Sequence, residues 1–202
     1  MYMGRPKVAL LVVDLQNDFC PGGTLPVPNG DAVVAKVNRA VDVFLRRRLP
    51  IVASRDWHPR ETRHFKPYGA WPPHCIQGTK GARFHPGFRL PKDATVVSKG
   101  MDPEEDSYSA FQAVTGSGRD LESVLREHDV EELVIAGLAT DYCVRASAID
   151  AIKRGFRVRV LKDAILGVDM KPGDSDAALR ELKGYGVAFT ETRGLSRVLP
   201  SP

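Results

Sequence analysis

The sequence predicts an α/β fold: one domain over residues 1–202, built as a three-layer α/β/α sandwich around a mostly parallel six-stranded sheet. Two observations predict it. Short, near-continuous apolar runs alternate with segments of helical periodicity. Strands that are apolar on both faces belong to parallel sheets covered by helices on each side. The chain also has the length of one domain with a substantial core, and it shows neither internal repeats nor a linker.

The strands are read in order as "VALLVV" (8–13), "PIVAS" (50–54), "ATVVS" (94–98), "ELVIAG" (132–137), "FRVRVL" (156–161) and a short final "VAFT". Between the first two, "DAVVAKVNRAVDVFLRRR" places Val33, Val37, Ala40, Val41, Phe44 and Leu45 on one helical face. "RDLESVLREH", "YCVRASAIDAIKRG" and "SDAALRELKGYG" read as three further helices, the second stopping at Gly155. The segment from Asp56 to Lys92 fits neither pattern. It is long and rich in Pro, Gly, His and aromatic residues, which marks a functional loop.

Composition excludes several classes. Twenty-nine Lys and Arg against 25 Asp and Glu give a net charge of +4, spread along the chain. The compact "RRR" at 46–48 falls at a helix end, where cations complement the dipole, and no nucleic-acid-binding module accompanies it. No apolar run reaches membrane-spanning length, and the N-terminal one is too short for a signal peptide. Three cysteines without a CxxC pair argue against a disulfide framework. The expected setting is the cytoplasm, with a small molecule as partner, no nucleic acid and no membrane. A homo-oligomer is expected from base rates alone.

In open α/β sheets, ligands bind beyond the carboxyl ends of the strands. Asp14 follows the first predicted strand, Asp56 and His58 the second, Lys99 the third, and Cys143 the fourth. An isolated cysteine is more often buried filler than nucleophile. With Thr140 as N-cap, however, Cys143 sits in the first turn of a helix. There the dipole lowers a thiol's pKa, and free amides suit a developing oxyanion. Asp14 is the available base, and Lys99 the group that orients it and offsets thiolate charge. "DWH" supplies one carboxylate and one imidazole, with His64 and His74 in the same loop. That donor set suits zinc, iron or manganese, although DxH alone is a weak signal. His85 and His128 carry no such signal.

"LLVVDLQNDFCPGGTLPVPNGDAV", "ASRDWHP", "VSKGMDPEEDSYSAF" and "VIAGLATDYCVRASAIDA" together resemble the nicotinamidases among the isochorismatase-like cysteine hydrolases. The resemblance implies Cys143 as nucleophile, Asp14 as general base and later acid, and Lys99 as their electrostatic partner. It implies one divalent metal, zinc first with iron or manganese as alternatives, held by Asp56, His58 and His74. It implies that His64 would ligate the metal or lie beside it. A cis peptide would join Leu138 to Ala139, with the amides of Ala139 and Cys143 as oxyanion hole. Phe19 and Trp71 would sandwich the substrate ring, and Tyr108 would line the pocket. The implied activity is hydrolysis of nicotinamide to nicotinate and ammonia, extending to pyrazinamide. The alternatives are another small-amide hydrolase of this superfamily, a metal-dependent oxygenase, which leaves Asp14, Lys99 and Cys143 without a role, and a zinc-storing or interaction protein on the same fold.

Overall fold

Alternation along the first strand explains the layers. In the computed structural model, which describes residues 7–199, β1 (Lys7–Val13) is buried along almost its whole length. Successive side chains point to opposite faces. Val8, Leu10 and Val12 enter one core cluster, and Ala9, Leu11 and Val13 another. The first cluster is closed by α1 (Val34–Arg46), through Val37, Ala40, Val41 and Phe44. The second is closed by α2 (Leu121–Glu127), α3 (Arg145–Lys153) and α4 (Asp174–Gly184), through residues such as Leu125, Ile149 and Leu182. A short terminal helix, α5 (Leu195–Val198), returns to the α1 side.

The remaining strands are β2 (Ile51–Asp56), β3 (Thr95–Lys99), β4 (Val114–Thr115), β5 (Val130–Leu138), β6 (Arg157–Leu166) and β7 (Ala188–Thr190). Their order across the sheet is β4-β3-β2-β1-β5-β6-β7. All neighbours are parallel except β4, which runs antiparallel to β3 through Val97↔Thr115 and Ser98↔Val114. The sheet therefore has seven strands, not six. A two-residue strand is too short to show any periodicity, so nothing in the sequence announced β4.

Two other expectations are corrected. Leu45 is 43% exposed, whereas Val43 is buried. Leu45 lies about 100° around the helix from Phe44, at the edge of the apolar stripe and beyond the reach of the sheet. Strand β2 runs on through Arg55 and Asp56, so Asp56 is the last residue of a strand and its backbone is fixed by the ladder.

The chain leaves β1 toward β2 on one side, and β5 pairs with β1 on the other. This is the switch point at which an open α/β sheet forms its crevice. The long segment after β2 folds over that rim. Isolated bridges tie His58 to Ile76, Phe65 to Trp71 and Gln16 to Phe84. It buries Phe65, Trp71, Cys75 and Phe88, and Cys75 and Phe88 join the core cluster on the α1 side.

Candidate active site

Asp14 follows directly on β1 in a left-handed conformation, with φ of 45°. Such backbone is costly for a non-glycine residue and clusters at functional positions. Its carboxylate is fully buried. It accepts a hydrogen bond from Ser54 Oγ at 2.6 Å and faces Lys99 Nζ at 3.0 Å. The same ammonium hydrogen-bonds Asp56 Oδ1 and reaches Cys143 Sγ at 3.5 Å. Carboxylate oxygens of Asp14 and Asp56 and the Cys143 sulfur lie within 4.8 Å of one another. Four strands have thus brought one cation, two carboxylates and a thiol to a single buried point.

Cys143 reaches this point on a π-helical turn, Thr140–Val144, that leads into α3. The N-cap is Ala139, which gives no side-chain cap, and Thr140 is the first residue of the turn itself. The expected Thr140 cap is therefore corrected: the turn is wound one residue wider, and Ala139 O accepts from Val144 N at 3.0 Å. The Leu138–Ala139 peptide is cis, and Ala139 lines the cleft beside Cys143.

The electrostatics also correct an expectation. Burial pushes the Cys143 thiol well above its ordinary value, and Lys99 offsets this only in part. Loss of water, and after it the Asp14 and Asp56 carboxylates, favour the protonated thiol. Burial raises the Asp14 carboxyl too, against the pull of Lys99. Burial works in the same direction on Asp56, but Lys99 and the His58 ring hold that carboxyl below the usual range. Lys99 stays charged: burial opposes this, and Asp14 and Asp56 overcome it. A raised carboxyl beside a raised thiol makes a competent proton acceptor at the moment the thiol reacts.

Next to Asp56 stand three buried imidazoles. Ligating atoms of His58, His64 and His74 lie within 4.8 Å of one another. Asp56 Oδ2 is 3.8 Å from both His58 Nε2 and His74 Nε2. Both ring nitrogens of His58 are buried without a hydrogen-bond partner, an arrangement that a bound cation would satisfy. His64 Nδ1 pairs with Asp106 Oδ1 at 2.5 Å, and His74 Nδ1 donates to Pro72 O at 2.9 Å. Outer hydrogen bonds of this kind fix the free nitrogen of a metal-ligating histidine. Burial pushes the His74 imidazole down to about 4, so it is neutral near pH 7, the form that ligates. Buried charge gives the same answer: Lys99 balances one of its two carboxylates, leaving one for a cation. The residues fit a divalent metal. Gly100, at φ of 69°, lets this happen, since a Cβ there would strike the His58 ring.

Several supporting residues escaped the sequence reading. Gln16 is fully buried. Its Oε1 accepts from Asp56 N at 2.8 Å, and its Nε2 donates to Asp56 O at 2.8 Å and Ala82 O at 2.9 Å. A side-chain amide thus fixes the backbone of Asp56 where the ladder ends. Asp18 accepts from Cys75 N at 2.7 Å, just after His74, and from Thr24 N at 3.2 Å. The only signal for either was position in the "DLQNDF" run. Gln16→Ala leaves three buried backbone groups unpaired and is expected to cost about 3 kcal/mol or more of stability. Denaturant unfolding at constant slope checks this, and a shift under about 1 kcal/mol counts against the strut.

The cleft between the two clusters has a volume of about 30 Å³, lined by Phe19, Trp71, Tyr108, Ala139, Tyr142 and Cys143 among others. Phe19 lies 5.5 Å from the His74 ring, and Trp71 Nε1 donates to Tyr108 OH at 3.0 Å. A larger surface hollow, about 1010 Å³, is lined by Arg60, Arg63 and Tyr68, and neither the thiol nor the ion-pair residues face it. Every residue singled out from the sequence at this rim is therefore brought to one site, His64 included.

The isochorismatase domain model matches residues 8–194. The chain belongs to the isochorismatase family. It is 41% identical over 204 residues to the nicotinamidase of Escherichia coli K12, covering 91% of this chain and 94% of that one. Among solved structures, the pyrazinamidase of Pyrococcus horikoshii in complex with zinc superposes with a TM-score of 0.85 at 45% identity, covering 92% of this chain and 99% of that one. PnC1 of L. infantum in complex with nicotinate superposes with a TM-score of 0.83 at 35% identity, covering 93% of each chain. Among the described residues, no helix of this family member is long and apolar enough to cross a membrane.

Proposed function

We propose that this protein is a metal-dependent amidohydrolase that converts nicotinamide to nicotinate and ammonia through a thioester on Cys143, in the cytoplasm. The observation that carries the reading is the Lys99 ammonium. It joins the Asp14 carboxylate to the Cys143 thiol beside a cleft that His64 and His74, two of the three clustered imidazoles, also line. The three relatives named above support the substrate class, and the zinc complex supports the choice of ion.

Asp56, His58 and His74, with His64, would hold the ion, with iron or manganese compatible with the same donors. When bound, it would supply Lewis acidity toward the ring nitrogen. Phe19 and Trp71 hold the ring's faces, and Tyr108 closes the side. The amide carbon then stands over Cys143. Asp14 takes the thiol proton as sulfur attacks, and Lys99 keeps the new negative charge compensated. The amides of Ala139 and Cys143 receive the oxyanion. Asp14 returns the proton to nitrogen, the C–N bond breaks, and ammonia leaves. Water deprotonated by Asp14 attacks the thioester, the C–S bond breaks as Asp14 passes that proton to the sulfur, and nicotinate is released. A slot that reads shape more than polar pattern also admits pyrazinamide.

Chelator-stripped protein is expected to lose ammonia release from nicotinamide by at least about a hundredfold and to regain it with zinc. Full turnover in protein shown to be metal-free would remove the ion from the reading. Zinc-loaded wild type without turnover would remove nicotinamide.

A further inference from the structure

Four buried side-chain atoms lack a hydrogen-bond partner among the described residues: Asp14 Oδ2, both ring nitrogens of His58, and Ser107 Oγ. The first faces Lys99 in an ion pair, and the second and third belong to the imidazole cluster. The Ser107 hydroxyl has no role in the mechanism above, and a buried hydroxyl without a partner calls for a ligand or a reason.

Its position points to a ligand. Ser107 is only 8% exposed and lines the cleft with Cys143, His64 and Tyr108. Its carbonyl accepts from Lys99 Nζ at 3.4 Å, and that same nitrogen reaches Cys143 Sγ at 3.5 Å. Ser107 therefore stands at the sulfur end of the cleft, where the reacting carbonyl must lie. Several of the other polar groups lining the cleft are engaged. Tyr108 OH accepts from Trp71, His64 pairs with Asp106, His74 with Pro72 O, and Asp56 with Lys99. Ser107 comes from the loop after β3, whereas the Ala139 and Cys143 amides come from the turn after β5. A planar carboxamide that turns its oxygen toward the β5 turn must turn its nitrogen elsewhere.

We propose that Ser107 Oγ accepts a hydrogen bond from the –NH2 of the substrate carboxamide and so fixes the rotation of the amide about the ring. This rests on the amide-hydrolase reading. A hydroxyl serves because it is both acceptor and donor, and it stays bonded as the nitrogen changes from amide to departing ammonia.

The test compares zinc-loaded wild type and Ser107→Ala with two probes. One is nicotinamide. The other is pyridine-3-carbaldehyde, which keeps the ring and the carbonyl and lacks the nitrogen. The variant is expected to lose about tenfold in kcat/KM for nicotinamide while keeping wild-type zinc content and wild-type inhibition by the aldehyde. Unchanged kcat/KM overturns the proposal. So does a parallel loss with both probes, because the hydroxyl would then be shaping the cleft. A fall in kcat alone, with kcat/KM intact, also overturns it, placing the hydroxyl in the later water step. Absence of turnover in wild type would appear before any variant is compared; it sinks the amidase reading and the Ser107 subsite with it.

Discussion

Zinc-loaded protein carrying Cys143→Ala is expected to release ammonia from nicotinamide at less than about one-thousandth of the wild-type rate. Without the sulfur no thioester forms, and Asp14 and Lys99 are left with no nucleophile of their own to activate. The substitution removes one buried atom, so the thermal unfolding midpoint should move little, by about 1 kcal/mol in stability. That separates lost chemistry from lost fold. Cys20 provides the control. It is a free, buried cysteine whose thiol burial pushes up to about 11, and Cys20→Ala should keep its turnover. If Cys143→Ala stays within tenfold of wild type, Cys143 is not the nucleophile.

The second large effect concerns Lys99, whose side chain is fully enclosed and faces Asp14 and Asp56 together. Lys99→Met keeps much of the stem's volume and removes the charge. Two buried carboxylates then face each other uncompensated, and breaking a buried ion pair from one side costs about 3–5 kcal/mol. The pH dependence has a definite sign. Asp14 is already raised from 3.8, and without the lysine it rises further, while Asp56 loses the cation that holds it low. A carboxyl raised in the folded state stabilises the fold below its unfolded value and loses that contribution as pH climbs. The deficit of the variant against wild type should therefore grow from about pH 4 upward and shrink on acidification. Urea unfolding of both proteins in chelator, at a mildly acidic and a mildly alkaline pH, measures it. An equal deficit at the two pH values would mean that burial of charge is not what the lysine offsets.

How much of this was legible in the chain can be judged from particular residues. Short apolar runs located six strands and period-3.6 patterns four helices, because burial of both faces of a strand and of one face of a helix is a local demand. The rule that ligands gather at the carboxyl rim then singled out Asp14, Asp56, His58, Lys99 and Cys143 before any geometry was known. β4 was missed because two residues carry no period, and Leu45 was misplaced because a stripe's edge is set by how far the sheet extends.

The sequence by itself singled out Asp14, Asp56, His58, Lys99 and Cys143 for this site, since strand ends are written in local hydrophobic runs. Only the tertiary structure decided their state. Gln16 is 40 residues from the Asp56 backbone that it grips, and His64 is 42 from the Asp106 that orients it. Cys143 was expected to carry a lowered pKa at a helix start, and burial among two carboxylates raises it instead. A pKa, a hydrogen-bond partner or an orphaned hydroxyl such as that of Ser107 depends on which distant segments close around the group and exclude water. Those neighbours are set by packing, and no local pattern in the chain encodes them.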